Sequence, residues 1–567
     1  LALVTTLFAL LACRKSDSAI TSRETAPPSA SANGVAATEV AAPPAVTIEL
    51  LYGSEKKTWL EEQLARFAAT QPKLHSGKLV QVTAKAMGSG EAVQGVLEGT
   101  LKPVVFSPAS TAYLTVLNYR WLSRAGNTAP LTGAGEPLVL SPVVIAMWKP
   151  MATALGWPEK ALGWSDLIRV SREPKGWAGH GHPEWGRFKF GHTHPEFSNS
   201  GLLSVLAEAY AGAKKTRTLT ADDLKQASTR KFVGEVERSI VHYGKSTGFF
   251  AEKMVARGPA YLSAAVLYEN LVVESYSKPD LPFPLVAVYP AEGTFWSDHP
   301  YAALDAPWVS AEQKEGAEQL LAFLKTRPAQ ERALELGFRP ADTAIATRAP
   351  LDAEHGVDPK QPQTLLEVPD GATLEALLEL FRDSKKTADV TLVFDKSGSM
   401  RGAPLAEAKA GAKAFFESLG DRDTVSLELF DDQVYPAFGP LPLGAHRAEF
   451  AEHIDAAIAD GGTALYEAID GAYKALAERA KSDPDRIHAL VVMTDGKDEA
   501  NRLTAQELEG HIHVEGETPA VKVFTIAYGR QAEASILDHI AEVAQGSTSK
   551  GDVQSIREVY RDMAAFF

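Results

Sequence analysis

At 567 residues the chain is too long for one ordinary core, and two or three domains are expected. Charged residues at 23% and hydrophobic ones at 45% are the proportions of soluble globular material. A net charge of -15 argues against nucleic acid and against peripheral binding to anionic lipid.

The single cysteine, Cys13, cannot form an internal disulfide. It closes the apolar run from Leu1 to Ala12, which is too short to span a membrane and has the length of a signal h-region. Residues 1–13 therefore read as a signal peptide. The sequence opens without methionine, and no basic stretch precedes the apolar run, so the N-terminus is expected to be incomplete. From Arg14 to about Ala45 the composition shifts to Ala, Pro, Ser and Thr. Such a segment cannot bury enough surface to fold, and residues 14–45 are predicted to be a disordered tether.

From Val46 the pattern turns globular. Val46 to Tyr52 predicts a strand that ends at Gly53-Ser54-Glu55, and Trp59 to Phe67 follows with helical spacing. Val80 to Lys85 predicts a second strand, then Met87-Gly88-Ser89-Gly90-Glu91 and another helix. Two strand–Gly/Ser–helix units in succession present helix N-termini with free backbone N–H groups to a polar ligand. The apolar strands Pro137 to Met147 and Pro284 to Pro290 are predicted to cross between two α/β lobes, the second lobe covering about 142–285. Inside it, Arg187 to Gly191 reads as a short strand feeding Phe197-Ser198-Asn199-Ser200-Gly201 and a helix from Leu202 to Ala211. Pro340 to Pro369 reads as a long loop, and the helix Thr373 to Phe381 runs directly into a strand at Ala388. So short a junction predicts that the modules on either side pack together.

Two segments, Gly179-His180-Gly181-His182-Pro183 and Gly191-His192-Thr193-His194-Pro195, each carry His-x-His. Four imidazoles could bind zinc, but no cysteine is near, and carboxylates such as Glu184 and Glu196 recur throughout the chain. His192 and His194 also adjoin the turn from Phe197 to Gly201, where they are expected to serve as neutral hydrogen-bond donors in place of metal ligands.

The sharpest chemistry lies in the last third. The buried parallel strand predicted from Ala388 to Phe394 runs into Asp395-Lys396-Ser397-Gly398-Ser399, where alternation turns Asp395, Ser397 and Ser399 to one side. Gly461-Gly462-Thr463 opens a helix, and Thr494-Asp495-Gly496 closes the apolar strand Ala489 to Met493. Strand ends in open α/β sheets are where ligands bind. Two carboxylates and three hydroxyls form a hard oxygen site that suits magnesium. Helix Pro404 to Leu419, strand Thr424 to Phe430, strand Val521 to Ala527 and a last helix from Ile556 to Phe567 complete the alternation.

D-x-S-x-S, the threonine at a helix start and the aspartate of T-D-G resemble the von Willebrand factor type A (VWA) domain with its metal-ion-dependent adhesion site. The resemblance implies that Asp395, Ser397, Ser399, Thr463 and Asp495 hold Mg2+ (or Mn2+ or Ca2+), with an open coordination place for a carboxylate from a protein partner. The organisation from Val46 to about Arg382 resembles type II bacterial solute-binding proteins. It implies that Ser54, Ser89, Ser141, Ser198, Ser200 and Tyr268 grip a small polar or anionic solute as the lobes close. Leu10-Leu11-Ala12-Cys13 resembles a bacterial lipobox, which implies lipidation of Cys13 and a place in the cell envelope facing periplasm or exterior.

The expected fold class is α/β: a two-lobed periplasmic-binding-protein-like module over 46–385, then a Rossmann-like VWA domain with a central, mostly parallel sheet over 386–567. The expected function is a membrane-anchored binding protein; the alternative is an adhesion or assembly scaffold whose solute-binding fold has lost its ligand. No G-x-S-x-G, H-E-x-x-H or G-x-x-x-x-G-K motif occurs, so no enzyme activity is expected.

Overall fold

The computed structural model describes residues 44–512, 521–529, 532–564 and 566–567. The expected leader, Cys13 and the tether up to residue 43 lie outside the described residues.

Three sheets organise residues 44–567. The first has the order Leu79–Met87, Ala45–Gly53, Val105–Ser107, Pro300–Ala303, Glu136–Pro137. Its first three strands are parallel, and Pro300–Ala303 runs antiparallel to both of its neighbours. In the second sheet the strand Val139–Trp148 is the hub, pairing with Ala264–Tyr268, Leu285–Val288, Trp296–Ser297 and Arg339–Pro340. Phe190–Thr193 and Ile240–Gly244 extend that sheet beyond Ala264–Tyr268.

The chain passes from the first sheet to the second between Pro137 and Val139, as the sequence suggests. It returns between Ser297 and Pro300, not within Pro284 to Pro290. The apolar run Leu285–Val288 is a fully buried strand of the second sheet, antiparallel to Val139–Trp148. Its hydrophobicity reflects burial on both faces. The strand expected from Arg187 likewise begins later, at Phe190, and runs to Thr193.

The third sheet has the order Phe438–Pro442, Thr424–Phe430, Ala388–Asp395, Ile487–Thr494, Lys522–Tyr528, Thr548–Gly551. All pairings are parallel except that of the edge strand Phe438–Pro442. Ala388–Asp395 is buried along its whole length. Val390, Leu392 and Phe394 join one apolar layer with the helices Ala403–Ser418, Leu443–Ala456 and Ile556–Ala564. Val393 joins the opposite layer with Leu465–Ser482, Ala505–Ile512 and Ala534–Val543. Residues alternate across a strand, so one continuous apolar run supplies both layers.

The helix Gly371–Ser384 packs Leu374, Leu377, Leu378 and Phe381 into the core shared by the first two sheets. Three residues later the chain enters the central strand of the third sheet. Arg257 donates to the Gly546 carbonyl at 3.0 Å, and Lys522 donates to the Val241 carbonyl at 2.7 Å. The two modules therefore pack against each other.

Candidate functional site

The parallel register pairs Phe394 with Met493 and Asp395 with Phe430, so the loops after these strands leave one edge of the sheet together. Asp395 is fully buried. Its Oδ1 accepts from the Ser397 N–H at 2.7 Å, and its Oδ2 accepts from the Thr494 hydroxyl at 2.6 Å. Ser397 Oγ lies 3.0 Å from Ser399 Oγ, and Ser399 Oγ donates to Asp495 Oδ1 at 2.7 Å. Thr463 is buried next to this chain of oxygens, 3.3 Å from where a Cβ on Gly496 would sit.

The third loop is held by backbone: the Gly398 N–H donates to the Gly461 carbonyl at 3.0 Å. Gly461 has φ +71, and a Cβ there would meet Asp432 Oδ1 at 2.6 Å, so the turn requires glycine. Lys396 turns away from the oxygens. Its ammonium pairs with Asp431 and sits 4.4 Å above the Tyr435 ring.

Burial, with the Asp495 charge adding to it, pushes the Asp395 carboxyl up to about 6. Burial also raises Asp495. Two carboxylates that resist ionisation side by side, joined by two serine hydroxyls and flanked by a threonine, fit a hard divalent cation. Ser399 is exposed and Asp495 half-buried, so the group faces solvent.

The six serine and tyrosine positions expected to grip a solute are all buried. Ser54 lies on the seam between the lobes: its Oγ donates to Ser246 Oγ at 2.9 Å and accepts from the Gly248 N–H at 3.1 Å. Ser198 and Ser200 share a hydroxyl network with Thr247 and Thr193, at 2.7 to 3.1 Å. The Tyr268 hydroxyl accepts from Asn199 Nδ2 at 2.9 Å, and Asn199 Oδ1 accepts from Ser110 of the opposite lobe at 2.7 Å. Ser89 and Ser141 accept from the backbone N–H groups of Ala109 and Asn270 at 3.1 Å each. Further cross-seam bonds run from the Gly90 N–H to the Phe197 carbonyl at 3.0 Å and from Tyr113 to the Pro195 carbonyl.

Residues 48–339 match the sequence model of the family described as bacterial extracellular solute-binding protein, more than half of the chain. The chain belongs to that family. Residues 389–561 of this solute-binding protein match the von Willebrand factor type A domain. An uncharacterized protein of Synechocystis sp. is 29% identical over 167 residues, 30% of this chain, and the chain spans only 38% of that curated relative's length. A von Willebrand factor type A structure from Catenulispora acidiphila is similar at 24% identity and TM-score 0.27, over 32% of this chain and 43% of its own. The periplasmic binding protein AfuA from Actinobacillus pleuropneumoniae, described with fructose-6-phosphate bound, is similar at 13% identity and TM-score 0.41. That likeness covers 60% of this chain and 98% of AfuA.

The seam of this solute-binding protein holds polar residues that the sequence reading passed over. Glu55 and Lys56 are buried and pair at 3.0 Å, and Asn270 Nδ2 donates to the Glu55 carbonyl at 3.2 Å. His299 Nδ1 lies 3.2 Å from Glu55 Oε1 without hydrogen-bond alignment. Ser107 Oγ, Ser297 Oγ, Asn270 Oδ1 and His299 Nε2 are buried without a hydrogen-bond partner. The only local signal was the Gly53-Ser54-Glu55 turn; the others come from distant segments.

The four imidazoles do not converge. His182 stacks on Trp185 at 3.7 Å and pairs with Glu184, while His194 is buried against Phe197, Tyr243 and Phe381. Burial, with Lys385 nearby, holds His194 well below the ordinary imidazole range, which suits a neutral ring. Among the described residues, no group that could hold a metal contains more than one histidine.

Proposed function

We propose that this chain is an envelope-anchored extracytoplasmic binding protein with two grips. The solute-binding module closes on a small polar or anionic solute, and the VWA module docks a protein partner through a divalent cation. The observation that carries the second grip is the solvent-facing run of oxygens from Asp395 through Ser397 and Ser399 to Asp495. In this reading Asp395, Ser397, Ser399, Thr463 and Asp495 hold Mg2+, and Asp395 and Asp495 neutralise it. When bound, the ion would offer a coordination place to a partner carboxylate. The lipid anchor at Cys13 belongs to the same proposal; among the described residues no helix is long and apolar enough to cross a membrane.

The unpartnered Ser107, Ser297, Asn270 and His299 atoms favour a solute in the seam, because buried polar groups without partners are costly. The scaffold alternative draws on the direct bonds already closing the seam, Ser54 to Ser246 and Ser110 to Asn199.

Two measurements test the reading. Mg2+ should raise the melting temperature of the full chain, and Asp395→Ala should abolish that rise; an equal rise in the variant overturns the cation site. Native mass spectrometry of the purified chain should show a co-purifying small molecule. Persistent emptiness, with no thermal shift across a solute panel, favours the scaffold.

A further inference from the structure

The second lobe buries a triad that neither grip uses. His192 lies on the strand Phe190–Thr193, Glu208 on the helix Asn199–Ala213, and Glu237 at the end of the helix Ala227–Glu237. All three are fully buried, and one ligand atom from each lies within 4.8 Å of the others.

Without an ion, the hydrogen-bond accounting there closes only by a proton held between the two carboxyls. His192 Nδ1 is 2.8 Å from the Thr193 carbonyl, which can only accept, so Nδ1 carries the ring hydrogen. In the neutral ring Nε2 then presents a lone pair toward Glu237 Oε1 at 3.2 Å, where only an imidazolium would donate. Tyr243 donates to the other oxygen of Glu237 at 2.6 Å. Neither oxygen of Glu208 accepts from an N–H or hydroxyl donor, and its neighbour is the Glu237 carboxylate. Among the described residues, no lysine or arginine pairs with either carboxylate. Burial, with Glu237 alongside, pushes Glu208 well above the ordinary carboxylate range.

We propose that His192, Glu208 and Glu237 form a second metal site, structural in role, that takes a zinc-class divalent ion. One imidazole and two carboxylates suit such an ion, and its two charges cancel those of the buried glutamates. The outer contacts are those that orient metal ligands: the Nδ1–H held by the Thr193 carbonyl, and Glu237 held by the Tyr243 hydroxyl. The ion would tie the helix Asn199–Ala213 to the strand that carries Thr193, whose hydroxyl is 2.7 Å from Ser200 Oγ. It would thereby fix the turn that meets the first lobe.

The test is the zinc content of the full chain, expressed with zinc and dialysed against excess Mg2+. About one zinc per chain is expected in the wild type and equally in Asp395→Ala, which disables the VWA site. His192→Asn and Glu208→Gln should each retain less than about a tenth of that, and Tyr243→Phe should bind zinc about tenfold more weakly. A zinc-free wild type, or full zinc in Glu208→Gln, overturns the proposal. So does loss of zinc in Asp395→Ala, which would put the ion in the VWA site. Should Glu208→Gln fail to fold, the cobalt(II)-loaded wild type decides: a visible band from an imidazole–carboxylate site supports the assignment, and its absence overturns it.

Discussion

Gly90→Ala separates two forces that act on one position with opposite signs. Gly90 is the second residue of the helix Ser89–Glu98, where alanine is favoured by about 0.5 to 1 kcal/mol. The same Cβ would stand 2.0 Å from the Glu196 carbonyl oxygen and 2.6 Å from the Tyr113 hydroxyl. Restoring an ordinary carbon–oxygen separation needs the lobes to part by about 1.3 Å there. That movement breaks the bond from the Gly90 N–H to Phe197 and the one from Tyr113 to Pro195. At roughly 1 kcal/mol net each, the closed arrangement loses about 2 kcal/mol, and the balance shifts some 30-fold toward the open form. Hydrogen exchange should then accelerate at Gly90 and Glu91, with the radius of gyration increasing in X-ray scattering. A variant that melts higher with unchanged exchange would refute the reasoning, because helix propensity alone would then account for the position.

Other substitutions probe the VWA portion. With chelator at pH 8, Asp395→Asn should be at least as stable as the wild type, because it removes a carboxylate that burial holds near pKa 6; melting curves without divalent ions check this. Glu428 is buried on the strand Thr424–Phe430, and burial raises its carboxyl to about 7. Its protonated form is preferred in the fold, so stability is fully present below about pH 4.3 and is lost as pH rises through about 7. Glu428→Gln should flatten that slope and gain on the order of 2 kcal/mol at pH 8, read by urea unfolding at both ends of the window. Asp389 accepts from Arg479 at 2.7 and 2.9 Å, so Asp389→Ala leaves a part-buried guanidinium with only the Thr391 hydroxyl, at 3.2 Å, and should cost about 3 kcal/mol in the same assay.

The parallel strands around Asp395 were legible because continuous apolar runs such as Ala388 to Phe394 bury both faces. Asp395 and Asp495 were legible because each lies at the end of its own apolar strand, whereas Thr463 lies between the helices Leu443–Ala456 and Leu465–Ser482 and was marked only by its Gly-Gly-Thr turn. Phe438–Pro442 was missed: a strand reading Phe-Gly-Pro-Leu-Pro carries two prolines, which only an edge position tolerates. Thr548–Gly551 is another short, polar edge without an apolar signal. The return crossing was misplaced because hydrophobicity marks burial, and Leu285–Val288 is buried without crossing. Asn199, Asn270 and His299 meet Glu55 and Tyr268 only through the fold. Glu184 and Glu196 stood out beside the histidines by sequence proximity, whereas helices from farther along the chain bring Glu208 and Glu237 to His192.

The helix Gly371–Ser384, seated in the solute-binding core and followed after three residues by the strand Ala388–Asp395, leaves no slack between the modules. Tension applied at Ser399 would run down that strand and through Lys385 to Thr387 into Phe381, whose ring lies 4.9 Å from His194 and 5.8 Å from Tyr243. Mechanical force on that face is therefore delivered to the second lobe, next to the turn that bonds across the seam.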